Sequence, residues 1–232
     1  MEIRSKKTLA IFSLTSCGGC FDVVKDRPEE YFALQKFYTV DDLRPKHKNT
    51  IDKKYDIVII EGHPRGKSGA ERAKTIRRNA KIVVAIGACA HLGGVYQMGT
   101  LLPKEKRPHL ILSKIIRIDY LVPGCPVNSD ELIRCLIDLY WGRIFRLPDL
   151  SICFECRQNE NNCLLKKNKL CLGPITRAGC GSICINNGEA CLGCRGSKPD
   201  ANIEKMTEIL KPIVIKDEID TVLTMYGGLD VK

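Results

Sequence analysis

Short apolar runs alternate with amphipathic stretches over the first two thirds of the chain. Four runs have no helical period; they span residues 8–14, 55–60, 81–86 and 118–122, and the last is the weakest. Runs rich in Val and Ile without polar alternation are typical of parallel strands that are covered on both faces. We therefore predict four buried parallel strands in this part of the chain.

Two amphipathic stretches predict helices between and after these strands. One covers roughly residues 69–79, and Ser68 and Glu71 have the spacing of a capping box at its start. The other runs from about Ser129 to Trp141, with apolar residues at helical spacing. Alternating strands and helices indicate a doubly wound α/β sheet, so we expect a flavodoxin-like domain over residues 1–147.

The pattern changes after Pro148. Between Ser151 and Arg195 the chain has eight cysteines, several glycines and little apolar periodicity, and a helical pattern returns only around Met206. Such a segment cannot bury enough apolar surface to fold unaided, so a group bound to the thiolates must organise it. We expect a second, irregular and cysteine-rich domain over residues 148–232.

Cysteine usage narrows the class of protein. The chain has 232 residues and 13 cysteines, an odd number that excludes complete internal pairing. A chain of this size needs no disulfides to fold, its first ten residues carry no export signal, and no window approaches the run of about 18 apolar residues that a membrane span needs. We therefore expect a cytoplasmic protein without a membrane span, in which most cysteines bind metal.

Charge is distributed unevenly. The formal net charge is +10, and residues 1–150 hold 26 basic against 17 acidic side chains, whereas residues 151–232 hold 11 against 10. Positive charge suits nucleic acid, an acidic membrane or a protein partner. Because the cysteine-rich part is nearly neutral and aromatic residues are only 6% of the chain, few stacking platforms exist for bases, and we expect no nucleic-acid partner.

Four cysteines follow the predicted strands. They come after the first, third and fourth strands and are Cys17, Cys20, Cys89 and Cys125. The carboxyl ends of parallel strands meet at one edge of an open sheet, where ligands bind. Neighbouring glycines let the backbone approach a bound group closely. Four thiolates from three loops could therefore hold one [4Fe–4S] cluster.

The other eight cysteines of the metal-binding pattern form two groups of four. Their spacings are C-x2-C-x6-C-x7-C over Cys153, Cys156, Cys163 and Cys171, and C-x3-C-x6-C-x2-C over Cys180, Cys184, Cys191 and Cys194. Two tetrathiolate sites follow from these groups. Zinc and [4Fe–4S] centres both accept four thiolates, so the spacing does not choose between them.

The chain resembles the small, electron-transferring subunits of [NiFe] hydrogenases, and among them the delta subunits of cytoplasmic archaeal sulfhydrogenases. The matching motifs are Leu14-Thr15-Ser16-Cys17-x-Gly19-Cys20, Ile60-Glu61-Gly62, Gly87-Ala88-Cys89-Ala90, Gly124-Cys125-Pro126, Cys171-Leu172-Gly173-Pro174-Ile175-Thr176-Arg177-Ala178-Gly179-Cys180 and Cys191-x-Gly193-Cys194-Arg195-Gly196. They extend over nearly the whole chain to about Gly196. The ordered set of twelve cysteines makes the resemblance specific.

The resemblance implies three [4Fe–4S] clusters and an oxidoreductase subunit with no catalytic residue of its own. It assigns Cys17, Cys20, Cys89 and Cys125 to a proximal set, Cys180, Cys184, Cys191 and Cys194 to a medial set, and Cys153, Cys156, Cys163 and Cys171 to a distal set. The nickel–iron site would belong to a large subunit, and iron–sulfur and flavin/NAD(P)-binding subunits would complete the complex. Exported relatives have a His where this chain has Cys153, and they lack a counterpart of Cys184.

Two alternatives stay open on the sequence alone. The large partner subunit could lack nickel chemistry, or the chain could be a basic zinc protein that binds nucleic acid. A third, the small subunit of respiratory complex I, has adjacent cysteines in place of C-x2-C and lacks the last eight. We expect Cys135 to be a buried apolar residue, Glu61 to make a structural hydrogen bond, and His63 and His91 to be polar loop residues.

Overall fold

The computed structural model describes residues 5–44, 53–94, 111–215 and 218–226, which fall into two compact units. The described chain up to Gly93 and from residue 111 to Arg146 forms the first unit, and the chain from Leu147 onward forms the second. Each unit is built differently. The first rests on a sheet, and the second on short helices joined by turns.

The first unit contains a five-stranded parallel sheet in its described residues. The strands are β1 (Lys7–Ser13), β2 (Tyr38–Asp42), β3 (Tyr55–Glu61), β4 (Ala80–Ile86) and β5 (Tyr120–Val122). Their order is β2-β1-β3-β4-β5. This is the flavodoxin-like order, in which the strand sequence reverses direction between β1 and β3. The predicted α/β class is therefore confirmed.

Apolar side chains on both faces explain the central strands. Ile57, Ile59 and Ile60 of β3 are buried, as are Val83 and Val84 of β4. Pairing of Ile57 with Ile82 and of Leu9 with Ile57 sets the register of the three central strands. A run without polar alternation cannot present one face to water, so both faces need helices.

Helices cover the sheet in the first unit. They are α1 (Gly19–Lys25), α2 (Pro28–Phe37), α3 (Gly66–Arg78), α4 (Gly87–Leu92) and α5 (Ser129–Trp141). Helix α5 has the predicted bounds, and the Asn128 side chain caps it by accepting the Glu131 N–H at 3.0 Å. Its apolar face is buried, including Leu132, Leu136 and Tyr140.

Two sequence-based expectations in this unit need correction. Strand β2 was not predicted, because Tyr38-Thr39-Val40-Asp41-Asp42 is half polar and lies at the sheet edge. The capping box at Ser68 was also wrong: α3 begins at Gly66 with no side-chain cap, and Glu71 binds Lys74 instead. The helix starts one turn earlier because the chain already turns at Gly66, whose φ is +61°.

The second unit has little regular structure over its cysteines. It contains α6 (Ile152–Gln158), α7 (Ile183–Asn186), α8 (Ile203–Leu210) and α9 (Ile219–Leu223). Helix α8, capped by the Asn202 side chain, and α9 pack with the segment around Leu172 in an apolar cluster, which contains Leu172, Ile175, Met206, Leu210, Ile219, Val222 and Leu223. The helical pattern predicted around Met206 is thus confirmed.

Candidate iron–sulfur sites

The proximal set lies at the carboxyl edge of the sheet, as predicted for strand-end cysteines. The turn between β1 and α1 carries Cys17, the first turn of α1 carries Cys20, and Cys89 lies in α4 directly after β4. Cys125 follows β5. A 2.7 Å hydrogen bond from the Ala88 N–H to the Gly124 carbonyl ties the last two loops together.

The sulfurs of the proximal set are close enough to influence one another. Burial raises the pKa of Cys20 to about 12, and negative charge on Glu61, Cys89 and Cys125 acts in the same direction. Burial also raises the pKa of Cys125, with Cys17 as its charged neighbour. The backbone N–H of Val127 donates to Cys20. All four cysteines therefore belong to one electrostatic neighbourhood.

Gly87 leaves room for the sulfur of Cys20. A Cβ at this position would overlap Cys20 Sγ, and the backbone φ of +81° disfavours any other residue. The chain therefore keeps a space beside the thiolate that any side chain at position 87 would fill.

The distal set is held by α6 and the loop that follows it. Burial raises the pKa of Cys153 to about 11, and charges on Cys171, Cys156 and Cys163 all add to this shift. Gly173 lies between two of the sulfurs, because a Cβ there would be 3.4 Å from both Cys153 Sγ and Cys171 Sγ. Cys171 is buried and Cys163 is exposed. The set thus reaches from the interior of the second unit to its surface.

The medial set lines a cavity. Its four sulfur-bearing residues, Cys180, Cys184, Cys191 and Cys194, surround about 290 Å³ of space that is partly open to solvent, with Ile152, Thr176, Ser182, Ile185, Leu192 and Arg195 completing the wall. The buried Arg195 holds its position through its Nε–H, which donates to the carbonyls of Arg177 and Ala178.

Hydrogen-bond donors surround the sulfurs of the medial set. Burial raises the pKa of Cys180, which accepts the N–H groups of Ser182 and Ile183. Burial also raises the pKa of Cys191, which accepts the Gly193 N–H. The hydroxyl of the nearby Thr176 donates to the Leu172 carbonyl at 2.7 Å. Donors aimed at sulfur stabilise the thiolate and raise the potential of a bound cluster.

The medial and distal sets share a wall. The Leu172 N–H donates to the Cys191 carbonyl at 2.7 Å, and charges on Cys171 and Cys191 interact. Ile152, Cys156, Cys171, Ile185 and Cys191 pack in one buried apolar cluster. The two sets are therefore neighbours across apolar packing, which favours short electron-transfer paths.

The donor chemistry of the three sets fits iron–sulfur clusters. Each set offers four soft thiols, at least one of which is buried, and thiolate ligands are what such clusters take. Burial raises the pKa of at least one thiol in each set, as at Cys20, Cys153 and Cys191, so cationic iron would have to stabilise these thiolates. In residues 5–44, 53–94, 111–215 and 218–226, no group of three or more His, Cys, Asp or Glu side chains has the geometry to hold a single metal ion.

Other candidate residues have structural positions. Cys135 is fully buried in α5, as expected. Glu61, also buried, accepts the Phe21 N–H, which confirms the predicted structural hydrogen bond. His63 lies in the loop after β3, as expected, but it is fully buried, because this loop pairs with the loop after β1 through Thr15. His91 is half-buried in α4.

Two charged residues near the cysteines carry no motif in the sequence. Arg44 follows the unpredicted strand β2 and binds the Cys17–Cys20 loop. Glu155 lies between Cys153 and Cys156, and its carboxylate accepts the N–H groups of Gly179 and Ser182 at 2.7 and 3.2 Å. Only the folded chain brings Arg44 to the proximal set and Glu155 to the loop of the medial set. No helix within the described residues has the length and apolarity to cross a bilayer.

Comparisons with known proteins identify the family of the chain. The family model described as "NADH ubiquinone oxidoreductase, 20 Kd subunit" matches residues 17–139. Sulfhydrogenase 2 subunit delta of Pyrococcus furiosus is 30% identical over 94% of this chain and 98% of its own length. A vhu subunit of the F420-non-reducing hydrogenase of Methanocaldococcus jannaschii is 27% identical, covering 84% of this chain and 83% of its own length.

A solved structure shares the fold. One chain of an NAD+-reducing [NiFe]-hydrogenase in the H2-reduced state superposes with a TM-score of 0.53 and 28% identity, covering 62% of this chain and 96% of the other. The sequence and structural matches together confirm the resemblance to hydrogenase subunits. Membership implies an electron-transferring, iron–sulfur type of oxidoreductase subunit. The chain therefore belongs to the family of the 20 Kd subunit of NADH ubiquinone oxidoreductase and the hydrogenase small subunits.

Proposed function

We propose that the chain is the electron-transfer small subunit of a cytoplasmic [NiFe] hydrogenase. It would relay electrons one at a time through three [4Fe–4S] clusters, held by the proximal, medial and distal sets. The observation that carries the proposal is the grouping of twelve cysteines into three sets, of which the medial and distal ones have apolar walls.

The protein's own residues would set the electron path. The clusters, when bound, supply the one-electron redox chemistry. Backbone N–H groups donate to sulfurs of the medial set, and apolar side chains exclude water from the wall that this set shares with the distal set. Hydrogen bonds to sulfur, burial and local charge are the means by which a protein tunes cluster potentials.

Partners follow from the resemblance. A large subunit would carry the nickel–iron site, and iron–sulfur and flavin/NAD(P)-binding subunits would take the electrons onward. The relatives are subunits of a sulfhydrogenase, an F420-non-reducing hydrogenase and an NAD-reducing hydrogenase by name. The proposal includes no nucleic-acid partner, since the positive charge lies on the first 150 residues and not on the cysteine-rich part.

Anaerobic purification of the complex tests the proposal. We expect a brown protein with about twelve iron and twelve sulfide per chain, nickel in the large subunit, and dye reduction that depends on H2. Colourless protein with stoichiometric zinc would contradict the iron–sulfur assignment. A brown complex without nickel and without H2-dependent activity would instead indicate the same relay beside a large subunit that lacks hydrogenase chemistry.

A further inference from the structure

One arginine holds the loop that carries half of the proximal set. Arg44 lies two residues after the end of β2, and its side chain is only 11% exposed. Its Nη1 donates to the Gly18 carbonyl at 3.2 Å and lies 2.9 Å from the Asp22 carboxylate. The guanidinium carbon also lies 5.2 Å from the centre of the Phe21 ring. Arg44 therefore contacts residues on both sides of Cys20 in the sequence, at positions 18, 21 and 22.

A second charged group holds the same loop from the sheet. Glu61 ends β3 and is 1% exposed, and its Oε2 accepts the Phe21 N–H at 3.2 Å. Its Oε1 lies 3.6 Å from Arg44 Nη1. Arg44 and Glu61 therefore bind the backbone on the two sides of Cys20. Arg44 donates to the Gly18 carbonyl, and Glu61 accepts the Phe21 N–H.

Arg44 is itself fixed by Asp42. Its Nε and Nη2 bind the two carboxylate oxygens at 2.9 and 2.8 Å, the two-pronged geometry that a planar guanidinium favours. Lys25 binds the same carboxylate at 3.1 Å but makes no contact with the loop among the described residues, and it is 40% exposed. Asp42 thus orients Arg44, and Lys25 provides a matched cation that does not reach the cysteines.

The loop needs such an external hold. Gly18 has a φ of +82° and precedes α1 without a side-chain cap, and a Cβ there would meet nothing within 4 Å. Within the turn the Gly18 N–H donates to the Ser16 hydroxyl oxygen at 3.2 Å, but glycine has high conformational entropy, so contacts from other elements add to this order. Cys17 is exposed as well. Hydrogen bonds from Arg44 and to Glu61 supply that order.

We propose that Arg44 is a positioning residue of the proximal site, which fixes the Cys17–Cys20 loop so that both thiolates face one cluster. The inference rests on the proposed function, because it assumes that the proximal set holds a cluster. Arg44 has two effects. Its several contacts hold the geometry of the loop, and its positive charge stabilises the reduced state, in which the site carries more negative charge. Arg44 itself touches no reacting atom.

The test uses the whole complex, purified anaerobically, with Arg44→Gln, Arg44→Lys and the control Lys25→Gln. Iron loss to a chelator and EPR-monitored redox titration are measured for each. In Arg44→Gln we expect about a third of the iron to leave at least tenfold faster, with the remaining signals unchanged. The equilibrium constant for reduction of the proximal cluster should fall about tenfold, which lowers its midpoint potential by about 59 mV for one electron.

The other variants separate geometry from charge. Arg44→Lys keeps the positive charge but not the two-pronged guanidinium contact. The midpoint potential of its proximal cluster should therefore stay near that of the wild type, while iron loss remains faster. Lys25→Gln should stay within about twofold of wild type in both measurements, since its exposed ion pair contributes little. If Arg44→Gln fails to fold, Asp22→Asn carries the test, with iron loss about threefold faster from the removal of one charged contact.

The outcomes distinguish this inference from the proposed function. A wild-type complex without iron–sulfur signals would overturn the proposed function, whatever the variants do. A wild-type complex with all its signals and an Arg44→Gln variant that matches it in iron retention and potential would overturn the role of Arg44 alone. Equal acceleration of iron loss from all three sets would also overturn it, because it would indicate general unfolding.

Discussion

Glycines beside the cysteines decide, at the residue scale, how closely the backbone can approach a sulfur. Gly87 stands against Cys20 Sγ, and Gly173 is in contact distance of Cys153 and Cys171. Gly66 shares the positive φ of Gly87 but faces open space. Replacing Gly66 therefore causes backbone strain alone, whereas replacing Gly87 causes backbone strain and a collision with the sulfur of Cys20.

Gly87→Ala should lose the proximal cluster, whereas Gly66→Ala should keep it. Both variants pay about 1–2 kcal/mol for a left-handed residue with a Cβ, which lowers the melting temperature by a few degrees. In Gly87→Ala the added methyl also displaces Cys20 Sγ. The measurement is iron per chain together with thermal unfolding, and full iron retention in Gly87→Ala would contradict the placement of Cys20.

Glu155 should stabilise the loop of the medial set and lower the midpoint potential of the cluster that this set holds. In Glu155→Gln the Gly179 and Ser182 N–H groups lose a charged acceptor, at a cost of about 1–2 kcal/mol. Loss of a negative charge near Cys180 should raise the medial midpoint potential. Thermal unfolding and a redox titration measure both effects. Glu204→Gln, an exposed change of equal charge in α8, should leave both values unaltered.

At the scale of elements, a side-chain pair fastens the amino ends of β1 and β3. The Asp56 carboxylate accepts both the N–H and the hydroxyl of Thr8 at 2.9 Å, and the Asp56 N–H donates back to the Thr8 hydroxyl. Lys81 of β4 adds an ion pair at 2.7 Å. These bonds join three adjacent strands at the edge opposite the cysteines, so they support the register without taking part in the site.

Acid should weaken this fastening. Burial alone would raise the pKa of Asp56, but Lys81 and the two bonds from Thr8 lower it to about 2, against 3.8 for a free side chain. The contribution of the Asp56 carboxylate to the free energy of unfolding is complete above about pH 4. It is lost as pH falls through about 2, because the unfolded chain takes up the proton at a higher pH than the folded chain. Solvent screening limits it to about 1 kcal/mol.

Asp56→Asn is the variant that isolates this contribution. Its free energy of unfolding should fall less steeply between pH 4 and pH 2 than that of the wild type, by about 1 kcal/mol over the interval. Denaturant unfolding of the full chain at several pH values measures the slope. Equal slopes in both proteins would show that another carboxylate, such as Asp42, carries the acid sensitivity.

Element prediction succeeded where apolar pattern dominates and failed where contacts dominate. Strands β3 and β4 and helix α5 follow from their own residues, because a buried run or an amphipathic face specifies its element locally. Strand β2 is half polar and is held by pairing with β1, from Lys7 with Tyr38 to Ile11 with Asp42. Missing β2 also hid Arg44, whose position depends on where that strand ends.

At the scale of the whole molecule, the two units draw their stability from different sources. The first has a sheet with apolar side chains on both faces, whose buried residues include Ile57, Ile59, Val83 and Val84. In the second, the segment from Cys153 to Cys194 has short helices and turns, and the buried side chains around its cysteines are few. Bound clusters would therefore contribute much more to folding in the second unit.

Removal of iron should open the second unit and leave the sheet intact. In the chain stripped by a chelator, backbone amides between Cys153 and Cys194 should exchange with solvent at least about a hundredfold faster. Amides of β1, β3 and β4 should keep their protection. Hydrogen exchange read by mass spectrometry makes the comparison within one sample. Equal loss of protection in both regions would contradict a separate, metal-dependent second unit.

The sequence by itself determined the α/β class, most of its strands, and the twelve cysteines as ligand candidates, because apolar periodicity and cysteine spacing are local properties. It also determined that Cys135 would be buried. Only the tertiary structure decided which charged residues from distant segments bind the loops of those cysteines. Arg44 and Glu155 reach the loops of Cys20 and Cys180 through contacts between segments distant in sequence, and no local pattern records such contacts.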